Sequence, residues 1–166
     1  SKWKFTEQEG KQPYFVEGTL AALDAPGEWC LDQAKWQILY YPMPGEDPSK
    51  AAIVAPVTQQ LVVLKGDPDA GKYVDHVGFR NLRFRYGACV LEPEGHCDWQ
   101  AAVTIPATIQ ADGARDCRIE GCEVSRYGQY GIWFRRGCTR NRIERCHIHD
   151  MGAGGVRIGE EGKPLK

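Results

Sequence analysis

The 166-residue sequence has almost no net charge and no long apolar run. Lys and Arg number 21 and Asp and Glu number 22, so the formal net charge is −1. A clustered basic excess, which phosphate binding requires, is missing. No stretch approaches the roughly 18 apolar residues of a membrane span. The polar first residues do not resemble a signal peptide, so if the protein is secreted, its leader is not contained in this sequence. We therefore expect no nucleic-acid partner and no membrane span.

Metal-type cysteine spacing and helical periodicity are also missing. The seven cysteines are an odd number and none forms a C-x-x-C pair, which argues against a zinc cluster and against a complete disulfide framework. Cys89 and Cys97 flank a loop and can pair in an oxidising compartment, whereas Cys117, Cys122 and Cys146 are expected to be buried free thiols. No segment repeats apolar residues at helical spacing, so the sequence predicts an all-β protein.

What the sequence does contain is an internal repeat in its glycine-rich second half. Residues 113–134 match residues 137–158 without a gap, and a degenerate copy lies at 79–84. The apolar residues alternate over short stretches, as in strands. This pattern predicts a parallel β-helix with about 24 residues per coil, in which equivalent side chains stack on each other.

Stacking predicts the interior of the coils. The expected interior columns are Leu82–Cys122–Cys146, Phe84–Val124–Ile148, Ile132–Val156 and Phe134–Ile158. The first part of the chain differs, with a hairpin predicted from strands at 29–31 and 36–41, and further strands at 51–57 and 60–64. We therefore predict a small β module at residues 1–56, followed by coils at 57–166.

The repeat resembles a known family. The runs 115–124, 128–134 and 147–160 are similar to bacterial right-handed parallel β-helix proteins of the pectate-lyase-like superfamily, and most similar to β-helix glycoside hydrolases of the family 141 type. The resemblance implies a right-handed helix and action on fucose- and xylose-containing plant glycans. Those relatives are several times longer, which implies that this chain is an N-terminal fragment with a truncated C-terminal end, of a secreted or periplasmic enzyme.

Two carboxylates are candidate catalytic groups. Glycosidases use a pair of carboxyl groups about 5–9.5 Å apart, and Asp150 and Glu160 lie on one predicted coil. The structural alternatives are a corner-forming Asx turn for Asp150 and a salt bridge to Arg136 for Glu160. His149, next to Asp150, is a weaker candidate for a general acid.

Candidate substrate-binding residues lie on the coils and on one long loop. Trp133 and Arg157 are equivalent outward positions, where an exposed indole and a guanidinium can hold a sugar; the alternative is a cation–π pair beneath a loop. The loop at 92–100 carries side chains that recur in sugar sites, namely His96, Asp98 and Trp99. The alternative is a surface excursion closed by Cys89 and Cys97.

No metal or cofactor is predicted. His147 and His149 alternate on one strand, but two ligands are insufficient and no third is evident, so a hydrogen-bonded rung with Glu123 is favoured. Arg83 and Arg85 share an outer face and either attract an acidic polysaccharide or are solvated or paired with the Glu residues of the neighbouring rungs. The predicted partner is a polysaccharide or oligosaccharide. The function alternatives are a glycoside hydrolase, a non-catalytic carbohydrate-binding or adhesive β-helix, and a polysaccharide lyase, for which no dense Ca²⁺-binding cluster is seen.

Overall fold

The computed structural model describes residues 15–92, 96, 98 and 101–160. The chain divides into two compact units, Ser1–Ile53 and Val54–Lys166. Within the described residues, no helix has the length and hydropathy that a membrane crossing requires.

The first unit contains the predicted hairpin. Strands β1 (Trp29–Asp32) and β2 (Gln37–Tyr40) pair in antiparallel register, with Trp29 opposite Tyr40. Short 3₁₀ turns lie at Leu20–Ala22 and Pro48–Lys50, and the Asp47 carboxylate caps the second of them through the backbone N–H of Ser49. The strand predicted at 51–57 is wrong, since this stretch has no secondary structure.

The second unit consists of short strands that form four parallel sheets. Its strands are β3 (Val62–Lys65), β4 (Val74–Asp75), β5 (Gly78–Arg80), β6 (Arg83–Gly87), β7 (Ala107–Asp112), β8 (Ala114–Arg115), β9 (Arg118–Glu120), β10 (Glu123–Tyr127), β11 (Tyr130–Phe134), β12 (Arg142–Glu144), β13 (His147–Met151) and β14 (Val156–Ile158). A 3₁₀ turn at Pro68–Ala70 follows β3. The sheet orders are β13-β10-β6, β14-β11-β7-β3, β12-β9-β5 and β4-β8, so neighbours are always strands of successive rungs.

The register follows the sequence repeat where the repeat is unbroken. Val124 pairs with Ile148, Ile119 with Ile143, and Ile132 with Val156, each 24 residues apart. Phe84 pairs with Val124 across a separation of 40 residues because the long loop intervenes.

The core lies between the sheets and is filled by the inward-facing members of these columns. Val124 and Ile132 are fully buried, and Cys117 and Cys122 are buried free thiols, as predicted. Cys146 is also a free thiol, half-buried, and its Sγ donates to the carbonyl of Ile119 on the preceding rung at 3.3 Å. Carbonyl groups of adjacent rungs therefore provide partners for thiols that lie inside the stack.

Three predicted interior residues are instead exposed. Leu82 and Val156 are nearly half exposed, and Ile158 is 76 % exposed although its partner Phe134 is buried. Leu82 precedes β6, and Val156 and Ile158 lie on β14; both strands are edge strands of their sheets. An edge strand has a neighbouring rung on one side only, which leaves these side chains partly uncovered, although Phe84 on β6 is buried.

Candidate functional site

The outer face of the sheet β6-β10-β13 carries two rows of polar side chains, which we call the polar face. The two rows consist of Arg83, Glu123 and His147, and of Arg85, Ser125 and His149, as the strand register places them. Residues of alternate strand positions point to opposite faces, so the inward Phe84–Val124–Ile148 column separates the two rows.

Glu123 holds the centre of the polar face. Its two carboxylate oxygens accept from Nε and Nη2 of Arg85, both at 2.5 Å, and Oε1 also accepts from the Ser125 hydroxyl at 2.9 Å. The bond with Arg85 is the main reason that the pKa of Glu123 falls from 4.5 to about 2, against a smaller opposing effect of burial. The same ion pair raises the pKa of Arg85. Glu123 is therefore an ionised acceptor and cannot supply a proton at neutral pH.

His149 lies between two carboxylates. Its Nδ1 is 3.0 Å from Oδ2 of Asp150, and its Nε2 is 3.6 Å from Oε1 of Glu123. The His149 ring also stacks on His147, with ring centroids 4.1 Å apart. Asp150 has a positive φ of 53°, which Asp tolerates better than most residues, and its side chain is 64 % exposed. This geometry leaves the Asp150 carboxylate accessible while one hydrogen bond fixes the imidazole.

Glu160 does not lie on the sheet that carries Asp150. It follows β14, and its Oε1 accepts from Nε of Arg135 at 2.5 Å. The predicted bridge between Glu160 and Arg136 is wrong, because Arg136 binds Asp69 at 2.6 Å instead. The structure thus gives Asp150 and Glu160 different partners, His149 and Arg135.

The expectation of an exposed indole at Trp133 is wrong. Trp133 is only 6 % exposed, and its Nε1 donates to the carbonyl of Gly159 at 2.7 Å. The Arg157 guanidinium lies 3.8 Å from the centroid of the indole ring. Arg157 also donates to the carbonyl of Val103, which lies in the loop between β6 and β7. The alternative of a cation–π pair beneath a loop therefore describes Trp133 and Arg157. Because Arg157 lies over the indole of Trp133, that ring is not available to a sugar.

The same loop brings two of its three predicted site residues together. Nε2 of His96 is 3.1 Å from Oδ2 of Asp98, and Asp98 also accepts from the Thr104 hydroxyl at 2.8 Å and from its backbone N–H at 3.1 Å. Burial opposes ionisation, but the bonds from Thr104 and His96 outweigh it, so the pKa of Asp98 is lowered. These contacts are all within the loop between β6 and β7 and stabilise its conformation. Trp99 lies outside the described residues, as does Cys97; Cys89 is a free thiol.

The predicted pairing of the arginine stripe with a Glu of the neighbouring rung is confirmed for Arg85 and Glu123, but the sequence did not point to Ser125. The sequence does contain a signal for this polar face: the alternating pairs Arg-x-Arg, Glu-x-Ser and His-x-His occupy equivalent positions of successive rungs. Among the residues with described positions, no three His, Cys, Asp or Glu side chains cluster in a way that would hold a metal ion.

Comparison with known protein families gives one match that covers more than half of the chain. The family model for right-handed β-helix regions matches residues 73–165. Comparisons with curated proteins and with solved structures give no match.

Proposed function

The chain belongs to the right-handed β-helix family, and we propose that it is part of a glycoside hydrolase that acts on plant-type polysaccharide. The β-helix region is shared by carbohydrate-active enzymes and adhesins, so the fold alone does not choose between them. The resemblance to family 141 enzymes supports the hydrolase, and so does the chemistry of the polar face.

The accessible Asp150 carboxylate beside His149 carries this proposal. A hydrolase needs a carboxyl group that reaches the glycosidic bond, and Asp150 is exposed at the border of the polar face. When Asp150 accepts the Nδ1–H of His149, the imidazole keeps one orientation and one tautomer. Its Nε2 faces Glu123, at 3.6 Å from Oε1. Asp150 is proposed as a catalytic carboxylate and His149 as the residue that positions it.

The partner carboxylate of Asp150 is proposed to be Glu160. Glu160 accepts from Nε of Arg135 at 2.5 Å, and this ion pair fixes the orientation of its carboxylate. Asp150 is 64 % exposed and has His149 as its ion-pair neighbour among the described residues, so it is the carboxylate of this pair that a sugar reaches from solvent.

A non-catalytic carbohydrate-binding role is the second candidate. One observation favours it. Glu123 and Glu160 are both paired with arginines, so Asp150 is the accessible carboxylate of the three. A polar surface with one accessible carboxylate is sufficient for sugar binding but not for hydrolysis by two carboxyl groups.

The two candidates are separated by product analysis with the protein expressed from its complete gene. We expect new reducing ends from a panel of xylan, fucosylated xyloglucan and pectin, without the ultraviolet absorbance of an unsaturated lyase product. Asp150→Asn and Glu160→Gln should each lower the rate by about 100-fold or more, as loss of an acid or base does.

Asp116→Asn is the matched control. Asp116 also has a positive φ, 53°, and it pairs with Arg140 at 2.6 Å on another sheet border. Asp116→Asn should keep full activity. If Asp150→Asn and Glu160→Gln also keep it, the assignment of both residues is wrong, and binding without any cleavage would identify the second candidate instead.

A further inference from the structure

The first unit contains a cleft that the β-helix and its proposed function do not involve. It encloses about 590 Å³, within the range of small-ligand sites. The side chains that carry the argument are Trp29, Ile38, Tyr40, Glu46 and Pro48, which line it together with residues 51–53. All of them belong to the same compact unit.

The walls of the cleft come from one face of the hairpin. In the β1-β2 register Trp29 pairs with Tyr40 and Leu31 with Ile38, so these apolar side chains share a face. Cys30, on the other face, is buried. Trp29 is 61 % exposed, and a large indole left in solvent at the wall of a cleft is a typical feature of a binding site.

One carboxylate provides the polar side of the cleft. Oε2 of Glu46 accepts from the Tyr40 hydroxyl and from the backbone N–H of Met43 at 3.0 Å. The Tyr40 hydrogen bond is the main cause of a lowered pKa for Glu46. Within the part of the chain that the structure describes, Oε1 of Glu46 and Nε1 of Trp29 have no hydrogen-bond partner. The cleft therefore offers one fixed acceptor and one donor.

We propose that this cleft binds a neutral sugar unit, with the Trp29 ring against the apolar face of the pyranose and Oε1 of Glu46 as acceptor for its hydroxyl groups. A pyranose has one apolar face and a rim of hydroxyl groups, which matches an aromatic wall beside a carboxylate. Among the residues with described positions, no Lys or Arg lines the cleft. Glu46 therefore repels a uronate, so the site selects neutral over acidic sugars. This proposal does not rest on catalysis at the polar face.

The test follows the Trp29 indole N–H resonance by nuclear magnetic resonance, assigned by its loss in Trp29→Ala. We expect it to shift when xylohexaose is added and to stay in place when hexagalacturonic acid is added. In calorimetry Trp29→Ala should weaken xylohexaose binding at this site by at least about tenfold, and Trp29→Phe should restore part of it. Glu46→Gln should allow hexagalacturonic acid to bind.

Trp36→Ala is the matched control, because Trp36 is 81 % exposed on the same hairpin but does not line the cleft. It should leave xylohexaose binding unchanged. The same titration in Asp150→Asn should also be unchanged, which separates this site from the polar face. The proposal is overturned if the Trp29 signal is indifferent to xylohexaose, if both sugars shift it equally, or if it shifts with protein concentration alone, which would mean that a second copy fills the cleft.

Discussion

Glu123 links the residues of the polar face across three strands. It binds Arg85 on β6 and lies 3.6 Å from His149 on β13. Because folding lowers its pKa from 4.5 to about 2, the stabilisation that it gives is complete above pH 4.5 and is lost as the pH falls toward 2. Protonation of Glu123 in acid is therefore expected to destabilise the folded protein.

We expect Glu123→Gln to reduce the acid sensitivity of the protein. The urea midpoint of the wild type should fall more between about pH 6 and about pH 3 than that of the variant, because the variant lacks this carboxylate. Urea unfolding at both pH values measures the difference. Glu144→Gln is the control, since Glu144 lies 3.7 Å from Nη1 of Arg142 and lacks the close two-point contact. Equal pH dependence of the wild type and Glu123→Gln would contradict this role of the ion pair.

At the scale of the elements, successive rungs approach each other closely at a pair of glycines. Gly128 and Gly152 occupy equivalent positions of the repeat, and the Gly152 N–H donates to the carbonyl of Tyr127 at 2.7 Å. A Cβ on Gly152 would lie 2.6 Å from the carbonyl oxygen of Gly128. Backbone atoms cannot give way as a flexible side chain does, so the rungs would have to separate.

Gly152→Ala is therefore expected to lower the free energy of unfolding by about 1–3 kcal/mol. Gly155→Ala is the control, because its Cβ would meet Ile148 Cγ2 at 3.5 Å, an ordinary contact. It should change the free energy by less than about 1 kcal/mol. Chemical denaturation compares the two variants, and equal stability would mean that the rungs do not approach as closely as described.

At the scale of the whole molecule, the parallel sheets have open edges. β12, β13 and β14 are edge strands, and Ile158 on β14 is exposed. Exposed edge strands with apolar side chains pair with other chains. We expect the 166-residue chain to self-associate, and Ile158→Lys to reduce this in sedimentation velocity experiments. Val90→Lys, at another exposed position outside the strands, should not; a monodisperse wild-type monomer would contradict the expectation.

The fold was largely predictable because its information is local and repeated. The offset of 24 residues between 113–134 and 137–158 specifies which strands pair, and the pairing of Val124 with Ile148 follows from it. β7 was not predicted, since the long loop before it interrupts the repeat. The interior predictions for Leu82, Val156 and Ile158 were wrong because a repeat does not indicate which rung ends the stack.

The site was less predictable because it depends on side-chain partners. The sequence placed Trp133 and Arg157 side by side but could not show that the loop after β6 covers them. The sequence shows that His149 is next to Asp150. It does not show that Glu160 pairs with Arg135 and not with Arg136, because this depends on the directions of the two arginine side chains. Arg85 and Glu123 are 38 residues apart, and only the register brings them together.

The most direct test of the account maps sugar contact onto the polar face. Backbone amide shifts of the labelled chain are followed during titration with xylohexaose, a fucosylated xyloglucan oligosaccharide and hexagalacturonic acid. The account predicts that at least one of these sugars shifts the amides of β13 around His149 and Asp150 and those of β6 around Arg85. Shifts confined to the sheet β12-β9-β5, or none on β6 and β13 with any of the sugars, would contradict it.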